Sequence, residues 1–353
     1  MGMHPKTHLI DKYTIFYDLL FMNDHESCID FLINSKLISH EQRINWVNYF
    51  DDLINSKNLK TNLKDYFYLN LHNGIENDSY LSSKKAYGII NNLYNCANSF
   101  GIDIVNHENI KKCSIIDYGA GIFRTLNQAV ILYCNGFNKS YAYEPYALKT
   151  DFVVRSLFHM IELMQSNPAN YIFTNISINE FIERLNLILS FDFIDKISTY
   201  NISEIKFLNI NDSIFLTNNL SHITDNSVDF HFSNAVLEHI FDFNLELSKL
   251  KKIIKSNSFG FHIVDFLDHR YYYNNSLSPM EKYFDGDLFE INGLTPTQLE
   301  SQISSNGFSI AKIQALKIPD FYITDDKRKL IDRYSNFNID ELREHVNWYL
   351  LSN

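Results

Sequence analysis

The chain reads as an α/β fold, with helices on both faces of a mostly parallel sheet, on three observations. Strand, glycine turn, helix, strand and carboxylate follow one another between Cys113 and Glu144. A second strand, helix and strand series runs from Asp225 to Asp265, and a capped helix followed by a strand occupies 294–316. Alternation of short apolar runs with helical spacing is the pattern of a parallel sheet whose crossovers are helices.

Each element has its local reason. Cys113 to Ile116 is an apolar run short enough for a buried strand. Gly119 and Gly121 let the backbone turn sharply and come close to a ligand without a Cβ in the way. Leu126 to Tyr133 carries helical apolar spacing, and Ser140-Tyr-Ala-Tyr143 returns as a strand that ends in Glu144. Glu144 stands about 23 positions after Gly121, where a βαβ unit places the acid that accepts hydrogen bonds from ribose hydroxyls. Arg155 to Met164 and Ile178 to Leu189 look helical and read as an insertion over about 155–208, either a lid or specificity element or a surface decoration. Further on, an apolar strand within Asp225 to Ile240 ends in Ser233-Asn234-Ala235, Leu245 to Ile254 is a helix, Ser256 to Gly260 a loop and Phe261 to Asp265 a buried strand. Thr295 caps a helix that has Pro296 in its first position and stops at Asn306-Gly307; Phe308 to Leu316 follows as a strand. Residues 325–353 are expected to end in a charged helix containing Trp348, docked on the body.

The glycine turn also restricts the ligand. A dinucleotide fingerprint needs a third glycine where Arg124 stands, and it avoids a carboxylate ahead of the turn, where pyrophosphate would sit; Asp117 is such a carboxylate. An acid at that strand end suits a cationic nucleoside ligand, and S-adenosyl-L-methionine (SAM) carries an ammonium and a sulfonium with no phosphate. Asp117-Tyr118-Gly119-Ala120-Gly121 resembles the first motif of the class I SAM-dependent methyltransferases, with Phe123 in place of that motif's third small residue. Asp225 to Ile240, ending in Ser233-Asn234-Ala235 and Leu237-Glu238-His239, resembles the family's fourth strand and the turn after it. The resemblance covers about residues 85–315 in order.

What the resemblance implies can be stated residue by residue. The fold would be a Rossmann-like, seven-stranded, mostly parallel sheet closed by an antiparallel hairpin. Asp117 to Gly121 would meet the methionine portion, Glu144 with Pro145 the ribose, Thr217-Asn218-Asn219 the adenine edge, and Asn234 and Ala235 the methionine side. The reaction would be an in-line displacement at the methyl carbon of SAM, with the nucleophile held about 3 Å away and its proton removed when it has one. His239 is one candidate base; Asp268 and His269, after the strand ending at Asp265, could form an orienting carboxylate and base. Alternatively, Asp268 caps a turn and His269 bonds backbone. Tyr271 to Tyr273 either stack on a ring-shaped substrate or cover the core. No metal is expected, because no second histidine stands near His269 at ligand spacing.

Composition places these motifs in context. At 353 residues the chain exceeds one usual compact domain, so a helical cap (1–105), a methyltransferase core (106–324) and a C-terminal helix (325–353) are expected. The cap, with helical spacing at Cys28 to Leu37, Glu41 to Leu53 and Lys84 to Phe100, covers a sheet edge or contributes to a substrate pocket or a homodimer contact. A net charge of -11 disfavours nonspecific nucleic-acid binding. DNA amino methylation is disfavoured further, because Asn234-Ala235 stand where an Asn/Asp-Pro-Pro-aromatic motif would hold a flipped base. Four scattered cysteines (Cys28, Cys96, Cys113, Cys134) read as reduced and buried, and with no spanning segment or cleavable leader in view the expectation is a cytoplasmic protein without a membrane partner. The expected acceptor is a small molecule (a sugar, nucleotide-sugar or secondary metabolite) methylated on oxygen or nitrogen; protein or RNA acceptors stay open. A non-catalytic methyltransferase-like binding module and an NAD-type oxidoreductase are the alternatives from other classes.

Overall fold

The computed structural model describes residues 30, 76–106, 109–121, 124–146, 150–188, 207–272, 277–288, 291–319, 322 and 329–353. The helices expected at Cys28 to Leu37 and Glu41 to Leu53, the end of the insertion, Phe123 and Tyr273 lie outside the described residues. The chain divides into two compact units. One comprises Met1–Asn91, Glu108–Lys112 and Ala120–Asn219, the other Asn92–His107, Cys113–Gly119 and Leu220–Asn353. Helix α1 (Glu76–Ser99) gives its first part to one unit and its last part to the other.

In the first unit, β2 (Lys139–Tyr143) runs parallel to β4 (Ile214–Thr217), and β3 (Phe207–Ile210) folds back antiparallel on β4. The β3–β4 turn places Asn211 and Asp212 at φ 52° and 54°, the left-handed region that Asn and Asp tolerate better than other side chains. Helix α2 (Asn127–Cys134) is buried nearly all round, which fits its run of Ala, Val, Ile and Leu. Helices α3 (Thr150–Ser166) and α4 (Ile178–Ile188) bury one stripe each, Val153, Leu157, Met160, Ile161 and Met164 in the first and Phe181, Leu185 and Ile188 in the second. Arg184 of α4 donates to the carbonyls of Tyr133 and Phe137 at 2.9 and 3.1 Å, tying the end of α2 and the turn after it to α4.

The second unit holds five strands in the order β1-β5-β6-β8-β7. β1 (Ser114–Tyr118), β5 (Val228–Asn234) and β6 (Ile254–Asp265) are parallel; β8 (Glu344–Ser352) lies antiparallel between β6 and β7 (Ser309–Lys317). Helix α5 (Phe243–Ile253) buries Phe243, Leu247, Leu250 and Ile253. The short α6 (Lys282–Asp285) carries Tyr283 into a cluster with Leu267, Met280, Ile318, Tyr334 and Leu342. Helix α7 (Pro296–Ser305) has the expected Thr295 cap, completed as a capping box by Gln298, and α8 (Ile339–Leu342) precedes β8.

Three expectations are corrected. The described residues contain eight strands where seven are expected, the addition being β3. The C-terminal helix around Trp348 is instead strand β8: Asn347, Tyr349 and Leu351 are buried and the residues between them are not, a period of two that a helix cannot bury. Ser256 to Gly260 is part of β6, whose register against β5 jumps from Val228–Ile254 to Phe230–Phe259, so the extra residues are taken up as an irregularity within the strand. Cys96, Cys113 and Cys134 are free and buried as expected, and burial pushes the Cys96 thiol up to about 12. No helix among the described residues is long and apolar enough to cross a membrane.

Candidate functional site

In the first unit the acid and the glycine turn meet. Glu144 follows the buried end of β2, and its own N–H donates to Thr217 O of β4 at 3.0 Å, which fixes the start of its side chain. The Gly121 N–H donates to Glu144 Oε2 at 2.8 Å and the Tyr146 N–H to Oε1 at 3.1 Å. The turn is held from other sides as well: the Ala120 N–H donates to Tyr143 O (2.9 Å), Gln128 Nε2 to Ala120 O (3.2 Å) and Thr125 Oγ1 to Gly121 O (2.6 Å). Gly121 has φ +87°, and a Cβ there would press on the Arg124 guanidinium at 3.1–3.2 Å.

Glu144 is only 5 % exposed, and burial raises its carboxyl above the usual value. The N–H groups of Tyr146 and Gly121 and the charge of Arg124 oppose that rise. A carboxylate has about four lone-pair sites, and two backbone donors leave about two for a ligand's hydroxyls. Pro145, Asn218 and Asn219 are exposed nearby in sequence, whereas Thr217 is buried. The Thr217 hydroxyl closes its own turn, accepting from the Asn219 N–H at 3.1 Å and donating to Asn219 O at 2.9 Å.

In the second unit, Asp117 and Tyr118 end β1 buried, with Asp117 opposite Phe232 of β5. Gly119 has φ +82°, and a Cβ on it would lie 2.6 Å from Val236 Cγ2 and closer still to Cγ1. Only a glycine lets β1 turn against Val236. Ala235 is left-handed too, at φ 54°, and its N–H reaches Ile263 O at 2.8 Å, extending the β5–β6 ladder past the strand end. Asn234 is oriented by α1: its Oδ1 accepts from Asn92 Nδ2 at 3.2 Å.

The same unit gathers the candidate bases. Leu237–His239 form one 3-10 turn, His269–Tyr272 another, and the rings of His239 and His269 stand edge to face with centroids 4.8 Å apart. Burial, and next the neighbouring His239, press the His269 imidazole down to about 4, so at neutral pH it is an uncharged and weak base. The expected pairing of Asp268 with His269 is not found. Asp268, 1 % exposed, is gripped by Arg270, whose Nη2 donates to Oδ2 at 2.6 Å and whose backbone N–H donates to Oδ1 at 2.9 Å. A carboxylate two residues before an arginine, at the start of a 3-10 turn, finds that partner locally. Arg270 also bridges to Asp285 and Asp287. Tyr271 turns toward the core, its hydroxyl 3.2 Å from that of Tyr322, while Tyr272 is exposed and donates to Asp265.

Sequence reasoning passed over Glu238, Asn292 and Lys282. Asn292 Nδ2 donates to the carbonyls of Leu237 and Ile240 at 2.8 and 3.0 Å and so clamps the turn that carries His239. Lys282 is buried, donates to Phe266 O at 2.7 Å, and is pushed down to about 8 by burial against the upward pull of Asp268, Asp265 and Glu238. Glu238, His239 and His269 each bring one ligand-type atom within 4.8 Å of the others. His239, far from His269 in sequence, is brought beside it by the fold.

No protein-family model matches this chain, and no curated protein does. Many solved structures similar to it are SAM-dependent methyltransferases, at low identity. The Haemonchus contortus phosphoethanolamine N-methyltransferase 2 in complex with SAM is 14 % identical, with a TM-score of 0.35 over 68 % of this chain and 47 % of that one. A SAM-dependent methyltransferase from Mesorhizobium loti gives 10 %, 0.36, 69 % and 92 %, and geranyl diphosphate methyltransferase in complex with SAM gives 10 %, 0.37, 79 % and 90 %. The chain spans about half the length of the phosphoethanolamine N-methyltransferase structures it matches. At these scores the likeness assigns no family.

Proposed function

We propose that the chain is a SAM-dependent methyltransferase acting on an oxygen or nitrogen atom of a small molecule such as a sugar, nucleotide-sugar or secondary metabolite. The observation that carries this reading is the Glu144 carboxylate. It is buried at a strand end and fixed by the Gly121 turn, and it keeps acceptor capacity for two hydroxyls. A ribose presents such a pair. The Gly119 and Gly121 backbones, each at positive φ, give the bare approach that a nucleoside ligand requires.

SAM supplies an electrophilic methyl group when bound. The chain's own residues have the remaining work: Asp117 offers a negative side chain suited to the ammonium, Asn234 and Ala235 serve the methionine side, and the acceptor must be held in line and relieved of its proton. His239 and His269 are the imidazoles available for that proton, and Asp268, engaged by Arg270, is not the group that orients them. The test is a calorimetric titration of the purified chain with SAM, followed by a screen of small acceptors with methyl-labelled SAM. Micromolar binding and label transfer are expected; a chain that binds no SAM at millimolar concentration refutes the reading.

A further inference from the structure

The second unit holds a cluster that methyl transfer from SAM does not by itself require. Glu238 and His239 are consecutive on one 3-10 turn, His269 opens another, and Asn292 locks the first turn in place. One ligand atom from each of the three side chains lies within 4.8 Å of the other two. Three ligands about 2.1 Å from a common ion stand about 3–3.5 Å apart, a spacing that a small rotation of each side chain reaches.

Two further observations point to a missing partner. Glu238 is 4 % exposed and His269 9 %, and the Oε2 of the first and the Nε2 of the second have no hydrogen-bond partner among the described residues. Buried polar atoms are nearly always paired, so two orphans in one cluster ask for a ligand. Glu238 is also oriented from outside, its Oε1 accepting from the Asp265 N–H at 3.3 Å. Asp265 itself accepts from the Leu267 N–H and the Tyr272 hydroxyl and lies 3.6 Å from His345 Nε2, and it stands beside the cluster as a neighbouring charge. A cation held by Glu238 would relieve the repulsion between it and the neighbouring Asp265, and imidazole nitrogens are common ligands of such an ion.

We propose that Glu238, His239 and His269 bind a divalent first-row transition-metal ion. Two imidazoles and one carboxylate are a donor set for zinc, iron or manganese and not for magnesium, which takes oxygen ligands. Three protein ligands leave coordination positions open. Under the methyltransfer reading, on which this one clause rests, those positions are where an acceptor's oxygen atoms would be held, with the ion and not either imidazole then easing loss of the acceptor's proton.

The metal can be tested without SAM. The full chain, stripped with chelator, is titrated with Zn2+ by calorimetry and with Co2+ by visible absorption. One ion per chain is expected, with Co2+ bands of a site of low coordination number. Glu238→Gln, His239→Ala and His269→Ala should each weaken binding by at least about a hundredfold, more than loss of an outer partner to a ligand. His239 is only half buried, so His239→Ala keeps the test alive if His269→Ala does not fold. No binding, or binding equally tight in a folded variant, overturns the proposal. Either result leaves the SAM titration to be judged by itself.

Discussion

Replacing Glu144 separates two jobs that one carboxylate does. In the Glu144→Ala variant the Gly121 and Tyr146 N–H groups, now 2.8 and 3.1 Å from the two oxygens, lose their acceptors. Gly121 is half buried and stands to lose about 1–3 kcal/mol, while Tyr146 is exposed and can turn to water at a cost of about 1 kcal/mol or less. Glu144→Gln keeps one carbonyl oxygen, so it holds one of the two amides and should cost about half as much stability. Ligand binding should divide differently. A ribose hydroxyl bound to a carboxylate is worth about 1.5–3 kcal/mol, so Gln should weaken SAM roughly 10–150-fold and Ala, which loses both hydroxyl contacts, further still. Calorimetric titration gives the affinities, and thermal melting gives the stabilities of the same samples. A folded Gln variant that binds SAM within about threefold of the parent would refute the assignment of Glu144 to the ribose.

Other outcomes follow from single contacts. Gly119→Ala incurs both a left-handed backbone and a clash with Val236, about 2–5 kcal/mol in sum; adding Val236→Ala removes the two methyl contacts and should recover part of the loss, with the backbone cost of about 1–2 kcal/mol and a tight 3.1 Å approach to the remaining Cβ left, read by urea unfolding. No recovery in the double variant would show that the two residues do not collide. His231 and His262 are fully buried, 2.9 Å apart through Nδ1 and Nε2, and burial presses His231 down to about 3 and His262 well below its ordinary value. Both are depressed bases, so their contribution is whole above their unfolded value near 6.5 and drains away as pH falls toward 3. Each proton taken up on unfolding costs about 1.4 kcal/mol per pH unit, about 2.7 for the pair, and unfolding midpoints that do not move between about pH 6 and 4 would contradict this. Asp268→Asn should lower the melting temperature through Arg270 while reducing turnover of the folded fraction by less than about tenfold; a loss of 10²–10⁴ would restore Asp268 to the proton-transfer machinery.

The parts legible in sequence were those decided by near neighbours along the chain. Gly119, Gly121 and Glu144 are recognisable because a βαβ unit has a nearly fixed length, and Thr295 with Gln298 because a capping box closes within three residues. The grip of Arg270 on Asp268 is equally local, but a histidine between them drew attention to itself. What escaped was settled at a distance. His239 and His269 meet only because β5 and β6 lie side by side and each ends in a 3-10 turn. Glu344 to Ser352 contains good helix formers, and its alternation acquires meaning only with strands on both sides. The β3–β4 hairpin hid in an apolar stretch whose Asn211-Asp212 turn reads as one more polar pair in a chain rich in Asn.

The place of β8 has a consequence for the order in which the second unit can be made. It is the last of the eight strands to leave the ribosome, yet it supplies the hydrogen-bonding edge for β6 on one side and β7 on the other. Until synthesis has run through residue 352, both of those strands present open edges that invite pairing with other chains. Assembly of this unit therefore waits for the end of the strand, in contrast to the first unit, whose β2, β3 and β4 are complete by residue 217. A nascent chain arrested before residue 344 should be cut readily by protease across 254–317; protection there would show that β6 and β7 do not depend on β8.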